Sequence, residues 1–206
     1  MSKELLIDTM LFEVKPEQLN ELTSPDSNGR LIVKGVIQRA NAKNHNGRIY
    51  PLEILMRESK KYGEKIKERR ALGELDHPES SVVNLSNASH NIVKTYWDKN
   101  DLMGEIEILS TPAGNILKEL LKAGIKLGIS SRGLGSVKEV QLEDNVDSAD
   151  QVQEDFELIA YDFVSDPSTQ GAFMKPVNES KNYTKRKKYS KAEKLISDIL
   201  SSINER

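Results

Sequence analysis

The segment KLGISSRGLGS, residues 126–136, combines two strong local signals in this 206-residue sequence, a run of strand-forming residues and a cluster of glycines. Residues Lys126–Ser131 at its start and Ser136–Leu142 after it are each typical of a short β-strand. The Arg-Gly-Leu-Gly between them is typical of a turn, because glycine adopts backbone conformations that other residues avoid. We therefore predict two short strands joined by this turn, with a pair of serines where the first strand ends.

Further strands and helices are indicated on both sides of this turn. Alternating or β-branched residues predict strands at Leu5–Val14, Leu31–Arg39, Ser89–Asp98, Leu102–Leu109 and Phe156–Ser165. The third and fourth of these are predicted to form a hairpin around Lys99–Asp101. Apolar residues at helical spacing predict one helix from Pro51 to about Arg69 and another between the N-cap Thr111 and Gly124. The acidic stretch 143–155 is interpreted as a solvated loop. Because helices and strands do not alternate strictly, we predict an α+β domain built on a β-barrel or curled sheet, not a doubly wound parallel sheet.

The character of the sequence changes after Pro176, which predicts one domain over residues 1–176 and a separate tail over residues 177–206. The tail begins with basic residues, among them the run Lys185–Lys188. A helix is predicted to follow, capped by Ser190 and apolar along one face. This helix either docks on a partner or packs on its own domain, and the sequence favours neither.

The composition excludes several kinds of site and partner. The chain has no cysteine, which excludes disulfides, cysteine nucleophiles and cysteine-based zinc sites. Its three histidines lack the spacing of metal ligands and no phosphate-binding glycine loop is present, so we expect no metal or cofactor. No run approaches the roughly 18 apolar residues of a membrane span, so we expect no membrane contact. A net charge of −2 and an aromatic content of 5% argue against a nucleic-acid partner.

Two motifs carry the residue types of a serine hydrolase. GELDHP, residues 73–78, contains His77 before a proline, and Ser130 begins the serine pair. A serine hydroxyl becomes a nucleophile when a neighbouring base accepts its proton, and backbone N–H groups near Arg132 and Gly133 are candidate donors to the oxyanion. From the residues alone, a structural histidine and a plain β-turn are the more frequent explanations, and Ser131 is an alternative nucleophile.

Asp162 is the candidate third member of the site. In the predicted strand that begins at Phe156 it shares one face with apolar residues, where an unpartnered carboxylate is unfavourable. An imidazole N–H would satisfy this carboxylate and fix the histidine tautomer. A backbone group or an arginine would satisfy it equally well, and His90 is an alternative third member.

Four motifs in a fixed order resemble those of the prohead core proteases of contractile-tailed bacteriophages. They are NHNGRIYP at residues 44–51, GELDHP at 73–78, SSRGLGS at 130–136 and DFVSDPS at 162–168. The resemblance extends from about Leu5 to Pro176, and the histidine and serine motifs together make it specific. It implies a fold like that of the herpesvirus assembly proteases, a β-barrel surrounded by helices.

The resemblance also implies an activity. It implies a serine endopeptidase in which His77 is the base, Ser130 the nucleophile and Asp162 the third member, with oxyanion donors at Arg132 and Gly133. Such enzymes act inside the immature capsid, in the host cytoplasm. There they cleave scaffold, capsid and core proteins and also themselves, after glutamate. Arg48 and Arg132 are candidates for the basic subsite that this specificity requires.

The family's cleavage pattern is Leu or Ile two residues before Glu, and several segments of this chain fit it. Leu19–Glu21 and Ile203–Glu205 are predicted self-cleavage sites, because loops and termini are accessible to proteases. Leu72–Glu74 also fits, but it adjoins His77 and is expected to be shielded.

Two other functions and the oligomeric state stay open. A non-catalytic capsid scaffold or assembly protein would use the basic segment and the tail helix as contacts. A nucleic-acid-binding module would use Lys185–Lys188. The sequence does not decide whether the chain forms a homo-oligomer.

Overall fold

The computed structural model describes residues 3–12, 31–76, 78, 80–142 and 147–165. Ten strands are described: β1 Glu4–Phe12, β2 Leu31–Arg39, β3 Arg48–Ile49, β4 Leu72–Glu74, β5 Ala88–Asp98, β6 Asp101–Ile108, β7 Leu127–Gly135, β8 Val137–Gln141, β9 Ser148–Val152 and β10 Glu157–Val164. The helices within this part of the chain are α1 Leu52–Lys67, α2 Pro112–Lys122 and the short 3₁₀ helix Leu85–Asn87.

These strands form three sheets. In the first, β7 lies between β1 and β10, and both pairings are antiparallel. The second is antiparallel with the order β2-β6-β5-β4, and the third has the order β3-β9-β8. One continuous cluster of buried apolar side chains contacts all three sheets and both α-helices. The fold is therefore mixed and rich in sheet, as predicted, but the described strands form three separate sheets and not the closed barrel that the sequence led us to expect.

Most of the predicted elements are confirmed. Strand β2 has the predicted bounds, β5 and β6 form the predicted hairpin, and α1 fills the predicted helical segment. The hydroxyl of Thr111 accepts a hydrogen bond from the N–H of Gly114, so Thr111 caps α2 as expected. Neither of the described α-helices has the length and apolar character needed to cross a lipid bilayer.

The glycine-rich segment is not a turn, and this prediction is wrong. Strand β7 continues through Arg132–Gly135 to its end. A Cβ on Gly133 would lie 2.4 Å from Cε2 of Phe156, and one on Gly135 would lie 3.2 Å from Cδ2 of the same ring. The glycines therefore make room for the Phe156 ring beside the strand, and extended backbone suits this role.

The acidic stretch that was interpreted as a loop contains strand β9. Ala149 and Val152 are buried there, and β9 pairs with β8 on one side and with β3 on the other. Two buried apolar residues among acidic ones are too weak a signal to indicate a strand. The predicted domain boundary at residue 176 and the tail helix lie outside the described residues and stay predictions.

Candidate active site

The two adjacent serines of β7 point to opposite faces of the sheet, because successive side chains of a strand alternate. Ser130 lies opposite Asp162 of β10, whereas Ser131 lies opposite Tyr161. The hydroxyl of Ser131 is 3.2 Å from Nε2 of Gln38 and donates to the carbonyl of Asp8 at 3.4 Å. Ser130 is equally buried, yet its hydroxyl makes no hydrogen bond to any of the described residues. Of the pair, Ser130 is therefore the one with an uncommitted oxygen.

A buried ion pair occupies the face on which Ser130 lies. Arg132, two residues further along β7, places Nε 2.9 Å from Oδ2 of Asp162 and Nη2 3.2 Å from Oδ1. Its Nη2 also donates to Oε1 of Glu74 at 2.9 Å, and its Nη1 donates to the carbonyl of Ser80 at 2.6 Å. The guanidinium is 0% exposed. Its side chain is thus committed to protein partners, so any contact of Arg132 with a substrate falls to its backbone.

Asp162 is fully buried, as its place in an apolar row suggested. Besides Arg132, its Oδ1 accepts the backbone N–H of Glu74 at 3.0 Å. An arginine and a backbone group were the alternative partners that the sequence left open, and the structure contains both.

His77 itself lies outside the described residues, but Asp76 before it and Ser80 after it are hydrogen-bonded to the strands of the site. Before it, the N–H of Asp76 donates to the carbonyl of Phe163 at 2.7 Å, and Asp76 has a left-handed φ of 67°. After it, Ser80 accepts the bond from Arg132. Phe163 adjoins Asp162 in β10, and Arg132 is two residues from Ser130 in β7. Both flanks of the His77 segment are therefore bonded to the strand pair that carries Ser130.

His90 has a structural environment. Its Nε2 is 2.9 Å from the carbonyl of Tyr161, which only accepts, so Nε2 carries the proton and Nδ1 accepts from the Ser89 hydroxyl at 2.8 Å. The ring lies edge-on to Phe163 with centroids 4.9 Å apart. Burial lowers the pKa of His90 from 6.5 to about 4, so the ring is neutral at pH 7. Both ring nitrogens are occupied, which leaves neither to orient a second histidine.

The NHNGRIYP motif is bound to Asp8, which is buried in β1 and was not singled out from the sequence. Asn46 donates to Oδ1 of Asp8 at 2.7 Å, Arg48 lies 3.1 Å from the same oxygen, and the Tyr50 hydroxyl donates to Oδ2. Burial and the neighbouring carboxylate of Asp8 raise the pKa of Tyr50 well above its usual range. Arg48 is therefore engaged by a carboxylate of its own chain, on the face of the sheet opposite to Ser130.

Glu74 is the second residue that sequence reasoning missed. It is fully buried and touches Arg132, although it belongs to the same motif as His77. No local sequence pattern distinguishes a buried glutamate at the end of a short strand from an exposed one. Only the fold shows that it is enclosed. Within the described part of the chain, no group of three or more His, Asp or Glu side chains is arranged to hold a metal ion.

Comparisons of the sequence and of the structure with known proteins identify one family. Residues 7–182 match the family model described as prohead core protein serine protease. The chain is 33% identical over 158 residues to the prohead core protein protease of Enterobacteria phage T4. This aligned region covers 75% of this chain and 72% of the relative. The structure is also similar to that of the bacteriophage T4 capsid assembly protease. That match has a TM-score of 0.67 and 28% identity, and covers 80% of this chain and 99% of the other.

Proposed function

Because this chain belongs to the family of prohead core protein serine proteases, we propose that it is a serine endopeptidase with Ser130 as nucleophile and His77 as general base. Family membership makes it a peptidase related to capsid assembly proteases. One observation carries the choice of nucleophile: the buried hydroxyl of Ser130 has no hydrogen-bond partner among the residues that the structure describes. Both flanks of the His77 segment are bonded to the strands beside it, which supports His77 as the base.

The proposed reaction follows from these positions. Ser130 attacks the carbonyl carbon of the scissile peptide bond while His77 accepts its proton, and His77 then protonates the leaving amine. Water, deprotonated by His77, hydrolyses the acyl-enzyme and releases Ser130. The N–H groups of Arg132 and Gly133 are the proposed donors to the oxyanion. A β-bulge between Leu158 and Ala160 interrupts the ladder on the β10 side of these residues, so the one of the two N–H groups that points toward β10 can be released from the ladder.

We assign the third position to Asp162. It lies directly opposite Ser130 and is buried, so its charge acts at short range on a base that approaches Ser130. His90 is the weaker candidate, because it is neutral and both of its nitrogens are hydrogen-bonded elsewhere. Replacing Asp162 by Asn should reduce kcat strongly, whereas His90→Gln should reduce activity only as far as it reduces the folded fraction. The opposite pattern would transfer the role to His90.

The proposed substrates are scaffold and capsid proteins within the immature capsid, and the chain itself. The relatives' names, a prohead core protein protease and a capsid assembly protease, support this choice. We further propose cleavage after glutamate, action without a cofactor, and no membrane or nucleic-acid partner. Kinship with the herpesvirus assembly proteases stays a prediction, which superposition on an experimental structure will test.

The central experiment incubates the protein with its candidate scaffold protein and compares wild type with Ser130→Ala. Ser130→Ala should abolish cleavage and leave the melting temperature almost unchanged, because it removes one unbonded oxygen. Ser131→Ala is the matched control and should cleave, since its hydroxyl is bonded on the opposite face. A fluorophosphonate, which labels activated serines, should modify wild type and not Ser130→Ala. Cleavage by Ser130→Ala would overturn the assignment, and a wild type that neither cleaves nor labels would favour a non-catalytic assembly protein.

Mass spectrometry of the products tests the specificity. We expect new C-termini at glutamate, including Glu21 and Glu205 if the chain cleaves itself. Leu72–Glu74 should stay intact in folded protein, because it forms strand β4 and Glu74 is buried. Products that end mainly at other residues would refute the glutamate specificity without affecting the catalytic assignment.

A further inference from the structure

One carboxylate oxygen closes the segment that contains His77. Oε1 of Glu74 accepts hydrogen bonds from Nη2 of Arg132 at 2.9 Å and from the backbone N–H of Asn84 at 3.0 Å. Glu74 precedes His77 by three residues, and Asn84 follows it by seven. The same atom therefore joins the two ends of a surface loop to each other and to the strand that carries Ser130.

Other hydrogen bonds also join the two ends of this loop to the strands of the site. On the entry side, the N–H groups of Glu74 and Asp76 donate to Asp162 and Phe163 of β10. On the exit side, Ser80 receives a bond from Arg132, but beyond it the Glu74 side chain supplies the bond to Asn84. The N–H of Leu75 also donates to the carbonyl of Asn87 at 3.1 Å, so backbone pairing ties the base of the loop. Ser80 and Asn84 are instead bonded toward the strand of Ser130 through the side chains of Arg132 and Glu74.

We propose that Glu74 is a positioning residue of the protease, which acts through Arg132 and Asn84 to hold the His77 loop against the strand of Ser130. This proposal rests on the function proposed above. Glu74 orients Arg132, and Arg132 in turn holds Ser80, which follows His77 by three residues. Two buried carboxylates share this one guanidinium, so loss of the Glu74 charge leaves Asp162 as the only carboxylate on Arg132 among the described residues.

The expected effect is a loss of rate and not of substrate affinity. In Glu74→Gln the side chain keeps its shape, but a neutral amide oxygen forms weaker bonds to Arg132 and Asn84 than a carboxylate does. A displacement of about 1 Å in a catalytic group reduces rates roughly 100-fold. We expect kcat, and the rate of labelling by a fluorophosphonate, to fall between about 10-fold and 100-fold, while KM stays within about twofold.

Glu58 provides a matched control. It is also buried, its Oε1 lies 2.8 Å from Nζ of Lys61 and 2.9 Å from Nε of Arg57, and its Oε2 accepts the N–H of Leu158 at 3.1 Å. Like Glu74 it binds cations and one backbone N–H, but it lies on α1 and has no contact with the His77 loop in the described structure. Glu58→Gln should lower the melting temperature without changing the labelling rate of folded protein.

The test compares wild type, Glu74→Gln and Glu58→Gln by melting temperature, steady-state kinetics, fluorophosphonate labelling and hydrogen exchange. Glu74→Gln alone should lose labelling rate and exchange faster at the amide of Asn84. If it labels at the wild-type rate while its stability falls as in Glu58→Gln, Glu74 is only a structural residue and the proposal is wrong.

A second variant covers the case in which Glu74→Gln does not fold. Glu74→Asp keeps the charge but withdraws it by one methylene from Asn84, so it should also slow labelling. Unchanged labelling in Glu74→Asp would then overturn the proposal. Failure of the protease assignment is seen separately, because wild type would then label no faster than Ser130→Ala.

Discussion

His90 should make the stability of this protein depend on pH in the acid range. Its imidazole is enclosed by the Phe163 ring, the Ser89 hydroxyl and the Tyr161 carbonyl, and no carboxylate in the described part of the chain is hydrogen-bonded to it. A Cβ on Gly73 would lie 2.3 Å from Nε2, so there is no room for a water molecule on that side. Burial therefore lowers the pKa from 6.5 in the unfolded chain to about 4 in the folded protein.

The sign and size of the effect follow from proton linkage. Below pH 6.5 the unfolded chain binds a proton at His90 that the folded protein refuses until about pH 4, so stability falls as the pH falls through this window. This pKa difference corresponds to about 3 kcal/mol of unfolding free energy lost between the two values. That is a large part of the 5–15 kcal/mol or so by which a domain is stable.

Urea denaturation at several pH values between 7 and 4 measures this loss. His90→Gln should be less stable at pH 7, because it loses the fit of the ring, but its stability should decline less steeply with acid. Between pH 6.5 and 4 the wild type should lose about 3 kcal/mol more unfolding free energy than His90→Gln does. His45→Gln, a change at an exposed histidine, should follow the wild type. Parallel curves for wild type and His90→Gln would show that His90 does not titrate as the structure implies.

Two further predictions concern packing and charge, and urea denaturation checks both. Gly133→Ala should destabilise the fold by roughly 1–3 kcal/mol, because its Cβ would meet the Phe156 ring at 2.4 Å. Gly63→Ala, which places a Cβ in open space on α1, should instead stabilise it by about 0.5–1 kcal/mol, and equal effects would refute the packing argument. Asp8→Asn should destabilise by about 2 kcal/mol, since it leaves a buried cluster of donors without its carboxylate. Asp101→Asn breaks a more exposed pair and should lose less than about 1 kcal/mol, so a larger loss there than at Asp8 would contradict this view.

The elements that could be predicted from the sequence are those with a local cause. Strand β2, the β5–β6 hairpin and the capped helix α2 follow from alternation, turn residues and an N-cap within a few positions of one another. The glycines of β7 were misinterpreted because their purpose lies in Phe156, which is distant along the chain. Without that ring, two glycines in six residues are typical of a turn.

The candidate site was predictable in part for the same reason. A carboxylate in an apolar row indicated that Asp162 is buried with a partner, and the same argument applied to β1 would have identified Asp8. The choice between Ser130 and Ser131 needed the register of β7 against β10, which no local pattern specifies. The role of Glu74 depends on contacts with residues 10 and 58 positions away.

The Phe156 ring has a consequence for how the central sheet is assembled. If β7 paired one residue out of step so that Ser131 faced Asp162, Leu134 would move to the place of Gly133. The ring fills that place and rejects any side chain larger than hydrogen. Phe156 takes no part in the proposed reaction, but its ring thereby favours one alignment of the two strands. Only in that alignment does Ser130, and not Ser131, lie opposite Asp162.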